Sequence, residues 1–177
     1  MNKFTVTLAG LRKAGACFNG YNKVVRSLQG KEFTKEDEER ESYIGFAHKE
    51  PICIRAILYS NGLDDALWAL RCIDNADKDK DVRLFSVWCA RQVEHLMTDQ
   101  RSKNALNVAE RHANGHATDE ELSAAWDAAS GAAWAAARSA AWDAARGAAR
   151  AAAWDAARDV QKDMMIKMLE GNAPWQV

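Results

Sequence analysis

Apolar positions along this chain recur at intervals of three, four and seven residues, the spacing of amphipathic helices. Residues 7–14 and 16–29 predict two short helices, and Gly30 stands where a helix C-terminus favours glycine. Residues 31–50 interrupt the pattern. They form the most polar stretch, centred on Glu36, Asp37, Glu38, Glu39, Arg40 and Glu41, and predict a solvated loop or short helix. Pro51 suits the first turn of a helix through ICIRAILYS, which Asn61-Gly62 would end. The next helix, LDDALWALRCI, carries Asp64 and Asp65 in its first turn, where negative charge complements the helix dipole.

Beyond a polar turn at 74–81 comes VRLFSVWCARQVEHLM, a strongly amphipathic segment. Leu84, Phe85, Trp88, Cys89 and Leu96 share one broad face of it. A further helix from Ser102 or Lys103 to Ala113 should stop at Asn114-Gly115. Thr118-Asp119-Glu120-Glu121 has the form of a capping box, with Thr118 as N-cap and Glu121 reaching back. Gly171 and Pro174 close the last helix. No run of alternating β-branched residues accompanies these elements. The pattern predicts an all-α single domain of roughly six to eight helices. Residues 1–117 would form a helical bundle, and 118–171 an Ala/Trp/Arg-rich helical segment packed on it.

From Ala124 to Asp159 the chain repeats every four residues: AAWD, AASG, AAWA, AARS, AAWD, AARG, AARA, AAWD, AARD. Alanine is the best intrinsic helix former, so the composition favours helix. Each tetrad overshoots a turn by about 40°, so with Trp126 at zero, Trp134 falls at about 80°, Trp142 at about 160° and Trp154 at about 280°. The indoles wind around the axis instead of forming a seam. Such a helix is either surrounded by partners or bent at Gly131 and Gly147 so that each piece docks a different face. A bent C-terminal helix is the expectation, since an unbroken one from Asp119 to Glu170 would be about 78 Å long. Asp143–Arg146 and Asp155–Arg158 can pair at i,i+3. Trp134–Arg138, Trp142–Arg146 and Trp154–Arg158 can stack at i,i+4, each worth from a few tenths to about 1 kcal/mol.

Charge is nearly balanced at −1 over 177 residues, which offers no electrostatic footprint for nucleic acid or an anionic membrane. No apolar run approaches the roughly 18–20 residues of a membrane span, and the N-terminus is too polar for a signal peptide. A cytoplasmic protein is expected. Cys17, Cys53, Cys72 and Cys89 are widely spaced within apolar helical patterns and predict buried, reduced thiols.

Candidate chemistry is sparse. Asp77-Lys78-Asp79-Lys80-Asp81 begins like a calcium loop, but Val82 stands where glycine is needed and Trp88 where glutamate is needed, so a charged turn is the better reading. His112 and His116 are separated by the helix-breaking Asn114-Gly115, which disfavours a shared metal face. Neither metal nor cofactor is expected. His95, in line with Trp88 and Arg91, predicts a structural polar cluster with Asp64 or Asp65. No nucleophile motif, phosphate loop or dinucleotide fingerprint is present, and enzymatic turnover is not expected.

NGLDDALWALRC (61–72), RLFSVWCARQVEHL (83–96) and the AAWDAA array together resemble a family of immunity proteins found in phages and bacteria, inhibitors that neutralise polymorphic toxins. The resemblance spans roughly residues 52–159, and NGLDDALWALR is its specific part. It implies a non-catalytic inhibitor that occludes a toxin effector or, if phage-encoded, a host defence protein, and it carries no catalytic motif. The expected contacts are Trp134, Arg138, Trp142 and Arg146 of the array, since Trp and Arg dominate interface hot spots. Glu36, Asp37, Glu38 and Glu39 are the other candidates, although a short acidic run is ordinarily a solvated face. The alternative is a structural protein that self-associates through the array into a homo-oligomer. A nucleic-acid binder is the weaker possibility.

Overall fold

Thr7 opens the first helix by accepting the Gly10 N–H at 3.0 Å, and most helix ends along the chain are set by similarly local signals. The computed structural model describes residues 3–73, 78–92, 94–97, 99–130 and 148–176. They form two compact units, 1–78 and 79–177. Both flanks of the expected 117/118 division therefore lie in the second. The described structure is mostly helical.

The first unit contains α1 (Leu8–Lys13), α2 (Phe18–Leu28), α3 (Lys35–Glu38), α4 (Ile54–Asn61) and α5 (Leu63–Ala69). Glycines in left-handed conformation end three of them: Gly15 at φ 83°, Gly30 at φ 63° and Gly62 at φ 92°. Apolar residues at helical spacing form the core. Tyr21, Val24 and Val25 of α2 are buried with Ile54, Ile57 and Leu58 of α4 and with Leu63, Ala66 and Ala69 of α5. Burying each large aliphatic side chain contributes roughly 1.5–3 kcal/mol before entropy is counted.

Two features go beyond what the sequence pattern predicts. Pro51 does not open α4. Instead Ile52–Cys53 forms a strand, β2, antiparallel to β1 (Thr5–Val6), with Val6 opposite Ile52. The ribbon buries Phe4, Val6 and Ile52, and the Ile54 N–H donates to the Phe4 carbonyl at 3.0 Å. Local propensity favoured helix through Ile52; burial against a segment nearly fifty positions away outweighs it.

The polar stretch 31–50 is the second: it holds the expected short helix, α3, and specific bonds strap it to α2 instead of leaving it simply solvated. Asn22, fully buried, donates to the Ser42 carbonyl at 3.0 Å and accepts from the Ile44 N–H at 2.8 Å. The Tyr43 hydroxyl donates to the Ala16 carbonyl at 2.6 Å, and its ring meets those of Phe18 and Tyr21 edge to face. Thr34 and Asp37 form a capping box on α3.

The second unit contains α6 (Lys78–Arg91), α7 (Gln100–Ala113), α8 (residues 119–130) and α9 (Ala148–Glu170). Asp99 caps α7 by accepting the Arg101 N–H at 2.8 Å, and Gly115, at φ 76°, follows its end. The predicted capping box on α8 is formed. Glu121 N–H donates to Thr118 Oγ1 at 3.2 Å, and Thr118 N–H donates to Glu121 Oε2 at 2.9 Å. Leu84, Phe85 and Val87 of α6 are buried, as are Met164, Met165, Met168 and Leu169 of α9. Past Glu170, Gly171 turns the chain at φ 79°, and Asn172 N–H returns to the Lys167 carbonyl at 2.8 Å.

The expected bend at Gly131 or Gly147 lies outside the described residues. On either side of that gap the array is largely solvent-facing. Ala124, Trp126, Asp127 and Ala128 are exposed, as are Asp155, Ala156 and Ala157, while Ala125 is buried. These ends of the array are therefore not enclosed on every side. Among the described residues, no helix is long and apolar enough to cross a membrane.

Candidate functional site

Asp64, Asp65 and Trp68 lie within one helical turn of one another on α5, and Asn61, the last residue of α4, meets them across Gly62 through its bond to Asp65. Leu63, Ala66 and Leu70 turn to the core from the other side. Opposite the polar row stands the N-terminal half of α2. The two surfaces enclose an open cleft of about 320 Å³. Leu11, Val24 and Ile57 form apolar walls, Tyr21 and Trp68 supply aromatic ones, and Asp64 and Asp65 are its two carboxylates.

Asn61 organises this cleft. Its Nδ2 donates to the Gly20 carbonyl at 2.7 Å and to Asp65 Oδ2 at 2.8 Å, tying α2 to α5. Glycine at position 20 permits the approach: a Cβ there would stand 3.0 Å from Asp65 Oδ2 and 3.3 Å from Cys17 Sγ. Cys17 caps α2, its sulfur accepting the Gly20 N–H at 3.3 Å, the role serine more often takes. Two arginines flank the aromatic walls. Arg71 lies over the Trp68 ring at 5.3 Å and Arg12 over the Tyr21 ring at 5.7 Å. Burial raises the Tyr21 phenol above its ordinary value, and Arg12 partly offsets that rise.

The residues singled out from sequence have varied fates. Trp134, Arg138, Trp142 and Arg146 lie outside the described residues. Glu36, Glu38 and Glu39 are exposed on α3. Asp37 is not available to a partner: it is 1% exposed, and Arg26 grips it through Nε at 2.8 Å and Nη2 at 2.7 Å. That bidentate bond, with help from Thr34, holds the Asp37 carboxyl at about 2, below its ordinary 3.8.

Asp64 and Asp65 belong to the first unit, with Asp65 bound by Asn61. Arg91 and His95 belong to the second. There Arg91 binds Glu94 at 2.8 Å, Asn107 at 2.9 Å and Glu110. His95 is exposed, in a short 3₁₀ turn at Glu94–Leu96, because α6 stops at Arg91. The heptad line that placed it beside Arg91 is broken before it arrives.

The cysteine expectation also changes. No disulfide joins these four cysteines, yet Cys17 is exposed and Cys53, Cys72 and Cys89 are half-buried. Partial burial pushes the Cys89 thiol up. No group of three metal-ligating side chains occurs among the described residues. His112 pairs through Nε2 with Asp119 Oδ1 at 2.7 Å, joining α7 to α8.

Sequence reasoning did not single out Gly20, Asn61 or Trp68 as a site. The Asp64-Trp68 spacing was present in the sequence, but the helix break at Gly62 hid where Asn61 would point, and nothing local told which wall faces that row. No family model matches the chain, and no curated protein or solved structure matches it either.

Proposed function

We propose that this chain is a non-catalytic, protein-binding inhibitor that occludes a toxin effector or a host defence protein. One observation carries the reading. The NGLDDALW segment, on which the resemblance to immunity proteins rests most specifically, builds one wall of a cleft in the first unit. The lining of that cleft supports the reading: apolar and aromatic walls with two carboxylates, one of them anchored by Asn61. Occlusion needs no turnover and no cofactor. The target sits over the cleft, and its own site is blocked by the bound surface.

The test is capture with the full chain from candidate host or toxin-producing cells, beside a Trp68→Ala variant of unchanged melting temperature. The expected result is one stoichiometric partner, lost with the variant, whose isolated activity falls to completion at one equivalent of the chain. A partner whose activity is unaffected at saturation would overturn the proposal.

Self-association through the array is a second reading, favoured by Trp126, which is 72% exposed at the head of the repeat. Tryptophan is enriched at interface hot spots. Sedimentation over a hundredfold concentration range separates the two. Self-association requires a rise in mass that Trp126→Ala abolishes, whereas an inhibitor requires none.

A further inference from the structure

The cleft between α2 and the α4–α5 junction defines the chemistry of what enters it. At about 320 Å³ it lies at the lower end of the roughly 300–1,000 Å³ typical of small-molecule sites. It therefore suits a single long side chain better than a nucleotide. Its walls are mainly apolar, from Leu11, Val24, Ile57 and Ala69, and can cover an aliphatic stem. The charged residues lining it are Asp64 and Asp65, with no lysine or arginine among them. Asn61 already fixes the Asp65 carboxylate, so receiving a cation there costs little reorganisation.

Aromatic surface narrows the choice of cation. Trp68 and Tyr21 line the cleft, and each already carries a guanidinium of this chain over its ring, from Arg71 and Arg12 respectively. A planar, weakly hydrated guanidinium stacks on such rings and pairs with carboxylates, whereas an ammonium is a compact, strongly hydrated charge. Resting on the inhibitor reading above, we infer that this cleft receives an arginine side chain of the partner protein, its stem against the apolar walls and its guanidinium at Asp64 and Asp65. Charge complementarity then orients the partner over the first unit. Gly20 and Asn61 act as positioning residues that hold Asp65 in place.

The experiment titrates Nα-acetyl-arginine N-methylamide into the isotopically labelled full chain, following the Gly20 and Asp65 amides and the Trp68 indole by NMR. The uncharged citrulline counterpart and the lysine counterpart serve as controls. Saturable shifts at these three groups are expected, with citrulline at least tenfold weaker and lysine weaker than arginine. Asp64→Asn, on the exposed side of α5, should remove most of the arginine preference while the chain stays folded, and Asp65→Asn should do so too if it stays folded.

Equal binding of the arginine and citrulline amides, or shifts confined to other residues, would overturn the assignment. So would a captured and inhibited partner whose affinity is the same for Asp64→Asn; the inhibitor reading would then stand without the arginine contact. Arginine-amide binding at the cleft with no partner captured by the wild-type chain would instead make it a site for a free small cation, and both readings would fall.

Discussion

In the first unit, Asn22 reaches positions 20 and 22 residues away, and Asn61 reaches back 41. In the second, Asp99 bonds to Arg101 two positions on, and Thr118 and Glu121 exchange bonds over three. Longer reaches there, Arg91 to Glu110 over 19 positions and Arg83 to His112 over 29, join half-buried or exposed side chains. The difference matters because a polar group removed from water must find its particular partner, whereas an exposed one can exchange with solvent. The first unit thus adds to its apolar core a fully buried polar anchor, Asn22, that joins distant segments, and it carries the cleft that Asp64 and Asp65 line. The second is held by helix propensity, local caps, ion pairs and a methionine-rich apolar core, and it carries the solvent-facing ends of the array.

Apolar cores should look alike in both units, and truncating them gives the largest effects. Leu58→Ala in the first and Met165→Ala in the second, both at most 1% exposed, should each cost about 2–5 kcal/mol in urea unfolding. A cost well under 1 kcal/mol at Met165 would mean that the second unit lacks a packed core, and the comparison would become one of order against looseness.

Polar truncation should separate them. Asn22→Ala leaves the Ser42 carbonyl and Ile44 N–H without their partner and should cost about 1–3 kcal/mol. Amide exchange at Ile44 should accelerate far more than any in α7. Uniform acceleration across both units would break the contrast.

Acid sharpens the same point. Asp37 stays ionised in the folded chain down to about 2, while in the unfolded chain it takes up its proton near 3.8. The contribution of its pairing with Arg26 is therefore complete above 3.8 and lost as pH falls from there toward 2. Urea midpoints measured from pH 5 to 2 should fall through that window, and Arg26→Gln should lower the starting value and flatten the limb. An unchanged acid limb in the variant would show that Arg26 does not hold this carboxylate.

The smallest effect belongs to a cap. Thr118→Ala should cost about 1 kcal/mol and speed exchange in the first turn of α8 without disturbing the first unit. Spread of that effect to Asn22 would contradict a purely local role.

Gly30, Asn61-Gly62, Asn114-Gly115 and the Thr118–Glu121 box were all legible in the sequence, because a cap and its receiver lie within four positions and act through backbone geometry alone. The apolar stripes of α2, α4 and α5 were legible for the same reason, since helical periodicity already sorts inside from outside. Part of the candidate cleft was written there too, in the spacing of Asp64 and Trp68 on α5.

Only the tertiary structure decided the rest. It paired Ile52–Cys53 with Thr5–Val6, left Cys17 at the surface as a cap, ended α6 before His95, and turned Asp37 from an acidic-surface candidate into a buried ion pair. Each outcome depends on a segment distant in sequence or on competition between local and packing energies. A polar side chain carries no mark of whether water or a distant partner will satisfy it, and folding makes that choice by bringing the partner within hydrogen-bond reach.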